Sequence, residues 1–594
     1  MAYSKHQNNT RTLTNLFVGC LVATLSISHS TVAIADAISD RHVAQMRVLQ
    51  LDAKPVIELV RELSDQHLAT WKDEADAGIA SAQYIYALCC FNGIGVPEDK
   101  RKYIELMLHS AQQGFAPAER EIGSQYRRGD IIEKDVVEGT RWLEKAAEHG
   151  EFRTQNRLAY LYKDGRDVKQ DERRAFELMR ASAEAGYLWS ENTLGWWLWQ
   201  GICCESDPPE ARQWFQKAAD RGYAVAQSNL AAMMVEGAGG VRDVPNAVRY
   251  YQLAALQGDV AGQFNYALAL DRGEGILQNF AEARIWYEKA AAQGHAIAQR
   301  MLAEILLIKL KDPTQFPQAI ALLRKSIEQD DTWAKYQLGV CYFEGRGVPK
   351  SLDSSIRYMT AAATDGLAEA QYALAQTYRV GYSEACEKDA SKAAPAVARQ
   401  WMKKSAEQKY LLAMNNFGCM LKDGIGGPQD ISLAVEYYQQ AIDGGASISA
   451  YNLGMMHLLG DGIPEDSTKA FQLISKSADA GFVEAIFKLG LMYYCGKGVE
   501  GDAEKARELF VKASSQGHEG ATKLMAEIRL QDFLSFIGTS SGRGLKEERG
   551  IYQQSPGTLN RPELWEMDGP SGHAEMLYRL NENARDNAVS GIDN

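Results

Sequence analysis

The sequence predicts an all-α fold, an α/α superhelical solenoid of about twelve 36-residue helix-turn-helix repeats. Three observations carry that prediction. A glycine returns every 36 residues at Gly78, Gly114, Gly150, Gly186, Gly222, Gly258 and Gly294. The count runs on through Asp330 to Gly366, passes over 43 residues to Lys409, and resumes at Gly445, Gly481 and Gly517. With that anchor as position zero, position 9 is small in every copy, from Ala87 and Gly123 to Gly490 and Ala526. A second glycine falls at position 15, as in Gly93, Gly129, Gly165, Gly201, Gly345 and Gly496. A unit this short cannot bury its apolar face alone and has to stack on its neighbours.

Each element of the unit follows in turn. Position 8 is often leucine (Leu158, Leu194, Leu338) and position 12 tyrosine or leucine (Tyr126, Tyr162, Leu198), one helical turn apart on a shared packing face. The small residue between them admits a neighbouring helix. The glycine at position 15 tolerates the left-handed backbone that ends a helix. Position 21 is a cap for the next one: Asp99, Asp135, Asp171, Asp207, Asp243, Asn279, Ser351, Asp430, Asp466 and Asp502. The second helix carries a bulky residue eight before the next anchor, such as Trp142, Trp214, Trp286 or Trp401, and often ends in paired alanines.

The resulting pattern is A-x-x-x-L-G-x-x-Y-x-x-G-x-G-V, seen at Ala334 to Val348, followed by D-x-x-x-A-x-x-W-Y-x-K-A-A-x-x-G, seen at Phe280 to Gly294. It resembles the Sel1-like repeat, a relative of tetratricopeptide arrays, over residues 78–530. The resemblance implies an α/α superhelix that acts as a binding scaffold or adaptor, with roles in envelope assembly, cell-wall enzyme regulation and host interaction. It also brings in cysteine-rich members described as penicillin-binding or β-lactamase-like. This chain has no Ser-x-x-Lys, and its cysteines lack regular pairing within repeats.

The pattern breaks twice. Lys309 replaces the position-15 glycine, and residues 309–318 contain two prolines. Seven extra residues lie within 382–396. Either is a tolerated surface loop or a change in curvature separating two grooves. Residues 36–77 read as a helical cap on the N-terminal end. Residues 531–594, rich in Gly, Ser, Asn, Pro and charge, read as mostly disordered, with one short helix at His573 to Asn583.

Residues 1–35 have the layout of a secretory signal peptide: Lys5 and Arg11, an apolar run from Leu16 to Ile27, and the small exit Ala33-Ile34-Ala35, with cleavage expected after Ala35. Phe17-Val18-Gly19 before Cys20 is a poor lipoprotein match. A periplasmic or secreted protein follows, with eight cysteines in the mature chain; Cys203-Cys204 is the pair best placed for oxidation, and core cysteine is the reading for several others.

The net charge of −13 and the absence of a basic stripe argue against nucleic acid, and no run of 18 apolar residues in the body of the chain suggests a membrane span. No cysteine spacing fits zinc, no His-Glu-x-x-His occurs, and the one G-x-S-x-G, Gly538 to Gly542, sits in the tail rather than at a strand-to-helix turn. The G-x-G pairs belong to the repeat's turns. The expectation is a non-enzyme without cofactor or metal that holds a protein or peptide in a concave groove. A carbohydrate or peptidoglycan module is the competing reading.

Binding residues are proposed from one helix and one column. Trp189, Trp196, Trp197 and Trp199 lie within eleven residues. Trp189, Trp196 and Trp199 fall within about 80° of one another, opposite Leu194 and Leu198, at 100° per residue. The cluster is therefore expected to point out of the packed layer into the groove, or else to wedge between first helices. Position 7 is asparagine at Asn229, Asn265, Asn416 and Asn452, a ladder placed to hold an extended peptide backbone or to serve the repeat's own structure.

Overall fold

The computed structural model describes residues 40–43, 53–309, 312–381, 388 and 393–526. The signal peptide, most of the 382–396 insertion with Cys386, the Gly538 to Gly542 motif and the C-terminal tail lie outside the described residues. The chain divides into two compact units, Met1–Ala298 and Gln299–Asn594.

In the first unit a 24-residue helix, Ala53–Asp76, places Val56, Val60, Trp71 and Ala75 in one core with Ala82, Ile85 and Tyr103 of the first repeat. Helix pairs then follow one another, from Ala80–Asn92 with Lys100–Gln112 up to Val260–Arg272 with Phe280–Ala292. The second unit continues the pairing from Thr332–Glu344 with Leu352–Thr364 to Val483–Cys495 with Ala503–Ser515. Consecutive pairs pack as a solenoid.

The predicted punctuation does the folding work. All ten cap residues at position 21 accept a backbone N–H from the second helix's first turn. Such caps contribute about 1 kcal/mol each. Position 9 is small because the second helix of the same repeat lies against it: a Cβ on Gly490 would sit 2.7 Å from Phe510 Cε1. The glycine at position 17 has a related reason, since in Gly498 an added Cβ would run into the Ser467 carbonyl that opens the previous repeat's second helix. The G-x-G pairs are thus turns pressed against the preceding repeat. Where the anchor is not glycine, Asp330 and Lys409 take φ of 62° and 63°, so the period is a backbone requirement that those two residues meet at a cost of about 1–2 kcal/mol.

The first break has its own geometry. Helix Ala296–Glu304 passes into a π-helical turn at Ile305–Lys309, and a 3-10 turn at Pro313–Gln315 leads into Phe316–Ile327. Without a glycine to take the left-handed stop, the ladder widens rather than ends.

Candidate binding face

Helix Leu188–Gln200 carries the tryptophans. Leu194 and Leu198 are buried on its packing side as the spacing requires. Trp189 is 55% exposed and Trp196 41%, so both point away from that side. Trp199 is half-buried, and its ring stands edge-on between Trp196 at 5.6 Å and Phe215 of the following helix at 6.2 Å. It supports Trp196 from beneath. Trp197 corrects the expectation. It is only 2% exposed, and its ring meets Tyr160 of the preceding repeat at 5.9 Å, so it serves as packing between first helices.

The asparagine column is also not an open ladder. Asn229 Nδ2 donates to Asn192 Oδ1 at 2.9 Å, and Asn452 Nδ2 donates to Asn415 Oδ1 at 2.9 Å. Asn416, buried, donates to the Tyr372 hydroxyl at 3.2 Å. These amides join one first helix to the one before it. Asn265 is half-buried. The physical reason is that a solenoid helix is packed on three sides. At these asparagines position 7 turns toward the preceding repeat, whereas on Leu188–Gln200 position 3 (Trp189) and position 10 (Trp196) are open to solvent.

A second set of residues went unread in the sequence. Position 5 and the residue just before the next anchor form a clasp between the two helices of one repeat. Gln113, Gln257, Gln293, Gln329 and Gln408 each donate a side-chain N–H to Gln83, Gln227, Gln263, Gln299 and Gln371, at 2.8–3.1 Å. Most of those acceptor glutamines donate in turn to a backbone carbonyl at the end of the helix before them, Gln227 to Ala219 for example. Elsewhere the same two positions hold an ion pair or a charge-capable pair: Glu119 with His149 at 2.8 Å, Glu191 with Arg221 at 3.0 Å, and Lys335 with Asp365 at 2.8 Å. The signal was the recurrence of glutamine in two columns 30 residues apart.

The chemistry available elsewhere is sparse. Burial pushes the Cys89 thiol up to about 12, which fits a core cysteine. Cys203, at position 17, adopts a left-handed backbone with φ of 60°. Cys203 and Cys204, the pair best placed for oxidation, are free thiols, as are the other described cysteines. Among the described residues no group of three or more His, Cys, Asp or Glu side chains is arranged to hold a metal ion, and no helix is long and apolar enough to cross a membrane.

Comparison with known proteins places this geometry. A protective antigen of uropathogenic Escherichia coli with an SLR fold superimposes with a TM-score of 0.61 at 26% identity, covering 81% of this chain and 98% of the antigen. A Sel1 repeat protein from Oxalobacter formigenes is 27% identical, covering 60% of this chain and 90% of that protein, with a TM-score of 0.33. A chitin synthase regulator SKT5 from Malassezia restricta is 33% identical over 125 residues, which are 21% of this chain and 8% of the regulator. The Sel1 repeat family model matches twelve segments, running from 80–115 through 224–259 and 368–410 to 483–518. The chain belongs to the Sel1 repeat family, whose members are generally protein–protein interaction scaffolds.

Proposed function

We propose that this protein is an exported scaffold that holds a protein or peptide partner against the exposed face of its first helices. The observation that carries the reading is the pair Trp189 and Trp196, large aromatic side chains left open to solvent on the side opposite Leu194 and Leu198. A soluble fold gains nothing by exposing two indoles seven residues apart on one helix face, whereas desolvating them against a partner is strongly favourable. Exposed apolar residues occur on both helices of the repeats, Val225, Ile297, Leu459 and Tyr494 on first helices and Leu253 and Ile285 on second ones, but Trp189 and Trp196 are the exposed tryptophans among the described residues. Export is supported by the charged, apolar and small-residue layout of residues 1–35, and the similarity to a protective antigen is in keeping with a cell-envelope or host-contact role.

The test is recovery of partners from envelope extracts by crosslinking to the tagged chain. A partner lost when Trp189→Ala and Trp196→Ala are combined, with helicity and melting temperature retained, supports the proposal. Recovery that ignores both substitutions removes this face from consideration. If only glycan strands co-purify, the protein is a wall-binding module instead.

A further inference from the structure

We propose that the face formed by helices Ala116–Arg128, Phe152–Asp164 and Leu188–Gln200 selects an extended peptide segment in which an acidic side chain lies about three residues from an apolar one, the carboxylate meeting Arg157 and the apolar group meeting Trp196. This deepens the scaffold reading and rests on it.

The starting point is a concentration of arginines in a chain that is acidic overall. Arg120, Arg127 and Arg128 lie on one first helix and Arg157 on the next. Three of them are already engaged. Arg120 bonds Glu151 at 3.3 Å, Arg127 bonds Asp167 at 2.6 Å, and Arg128 bonds Glu121 at 3.3 Å and Asp130 at 3.4 Å. Arg157 is different. Its side chain is exposed, it donates to the Ser124 hydroxyl at 3.2 Å across the gap between the two helices, and it has no carboxylate within ion-pair distance among the described residues. Partial desolvation first, and then the charges of Arg127 and Arg128, hold its guanidinium below the usual value. Glu121 offsets this in part but forms no ion pair with Arg157, so the guanidinium is free to donate to an incoming carboxylate, which its planar shape fits with two parallel hydrogen bonds.

The apolar half of the site adjoins it. Arg157 at position 7 and Tyr160 at position 10 share a helix, and Tyr160 is fixed from behind by Trp197 and by the Thr193 hydroxyl at 3.5 Å. Trp196 is on that neighbouring helix, and the axes of packed helices lie about 8–10 Å apart. An extended chain covers that span in about three residues at roughly 3.3 Å each. The occupant is therefore a short acidic–apolar peptide segment. The net charge of −13 makes general electrostatic attraction of such a peptide unfavourable, so the selection has to be local to Arg157.

The experiment is selection of random decapeptides displayed on phage against the full chain, Arg157→Gln and Trp196→Ala. Against the parent chain, enrichment of at least tenfold in sequences with Asp or Glu two to four residues from an aromatic or aliphatic residue is expected. Arg157→Gln should erase the acidic preference and keep the apolar one, and Trp196→Ala should do the reverse. Apolar enrichment without acids overturns the proposal while leaving the scaffold reading intact. Acidic enrichment that survives Arg157→Gln overturns it as well. If nothing is enriched the peptide proposal falls, and only if partner recovery is also indifferent to Trp189 and Trp196 does the scaffold reading fall with it. Circular dichroism of each variant checks that the repeats remain folded.

Discussion

Nine repeats, from the one whose helices are joined by Gln83 and Gln113 up to the one joined by Gln371 and Gln408, have a polar or charged residue at position 5; in the last three repeats that position is Met414, Ala450 and Ile486. The partner position changes in parallel, to Gly444 and Ala480 in two of those three. Both designs bury the same part of the helix. The polar clasp fixes register, because a buried amide or carboxylate is satisfied in one alignment of neighbouring helices only. The apolar version relies on volume and area, which tolerate small slips. The difference teaches that one repeat geometry can be held by two kinds of chemistry.

Substitutions at these positions test that contrast. The largest effect is expected at Ile486, buried in the second unit. Ile486→Ala should cost about 2–5 kcal/mol. Ile486→Gln should cost less, because Gln516 stands at the partner position and can complete a clasp worth about 1 kcal/mol per hydrogen bond. Chemical denaturation of both variants decides it; equal losses would mean that the clasp does not transfer. Next comes Glu191→Ala. The carboxylate is fully buried and accepts from Arg221 at 3.0 Å and Lys217 at 3.1 Å. Both cations are about half-exposed and can rehydrate, so the expected loss is about 2–3 kcal/mol rather than the full cost of breaking a buried pair.

A smaller gain is expected at the one clasp left incomplete. Gln155 donates to the Ala147 carbonyl at 2.9 Å, but its Oε1 is buried without a partner, and the residue that would supply one is Ala185. Ala185→Gln should raise stability by about 1 kcal/mol. A neutral result would show that the missing bond is already replaced by water.

The smallest effect is a pH dependence. His295 accepts the Ala298 N–H on Nδ1 at 3.2 Å and stacks on Phe264 at 4.6 Å, and burial holds its pKa below 6.5. The unfolded chain then binds the proton more readily. Its stabilisation is complete above pH 6.5 and is lost as pH falls through the lower folded value. His295→Asn, which retains a capping oxygen, should flatten that part of the stability profile.

The fold was legible because glycines and caps act locally. A left-handed stop favours glycine wherever it occurs, and Asp99 or Asp430 caps a helix whatever lies around it. The candidate site was legible in half. A helical wheel separates Trp196 from Leu194, since they lie on opposite sides of one helix. It cannot show that Trp197 and Asn416 face a neighbouring repeat, because that requires knowing which edge of the helix the next one occupies. The glutamine clasp was missed for the same reason, each column being read alone rather than against its partner 30 residues on.

Site-specific photo-crosslinking tests the central claim most directly. A photoreactive residue is placed at Ala232 or Leu268, position 10 of two first helices, and separately at Ile285, exposed on a second helix. The account predicts one partner captured from Ala232 and Leu268 and none from Ile285. Capture from Ile285 alone would contradict it, placing the binding surface on the opposite side of the repeats.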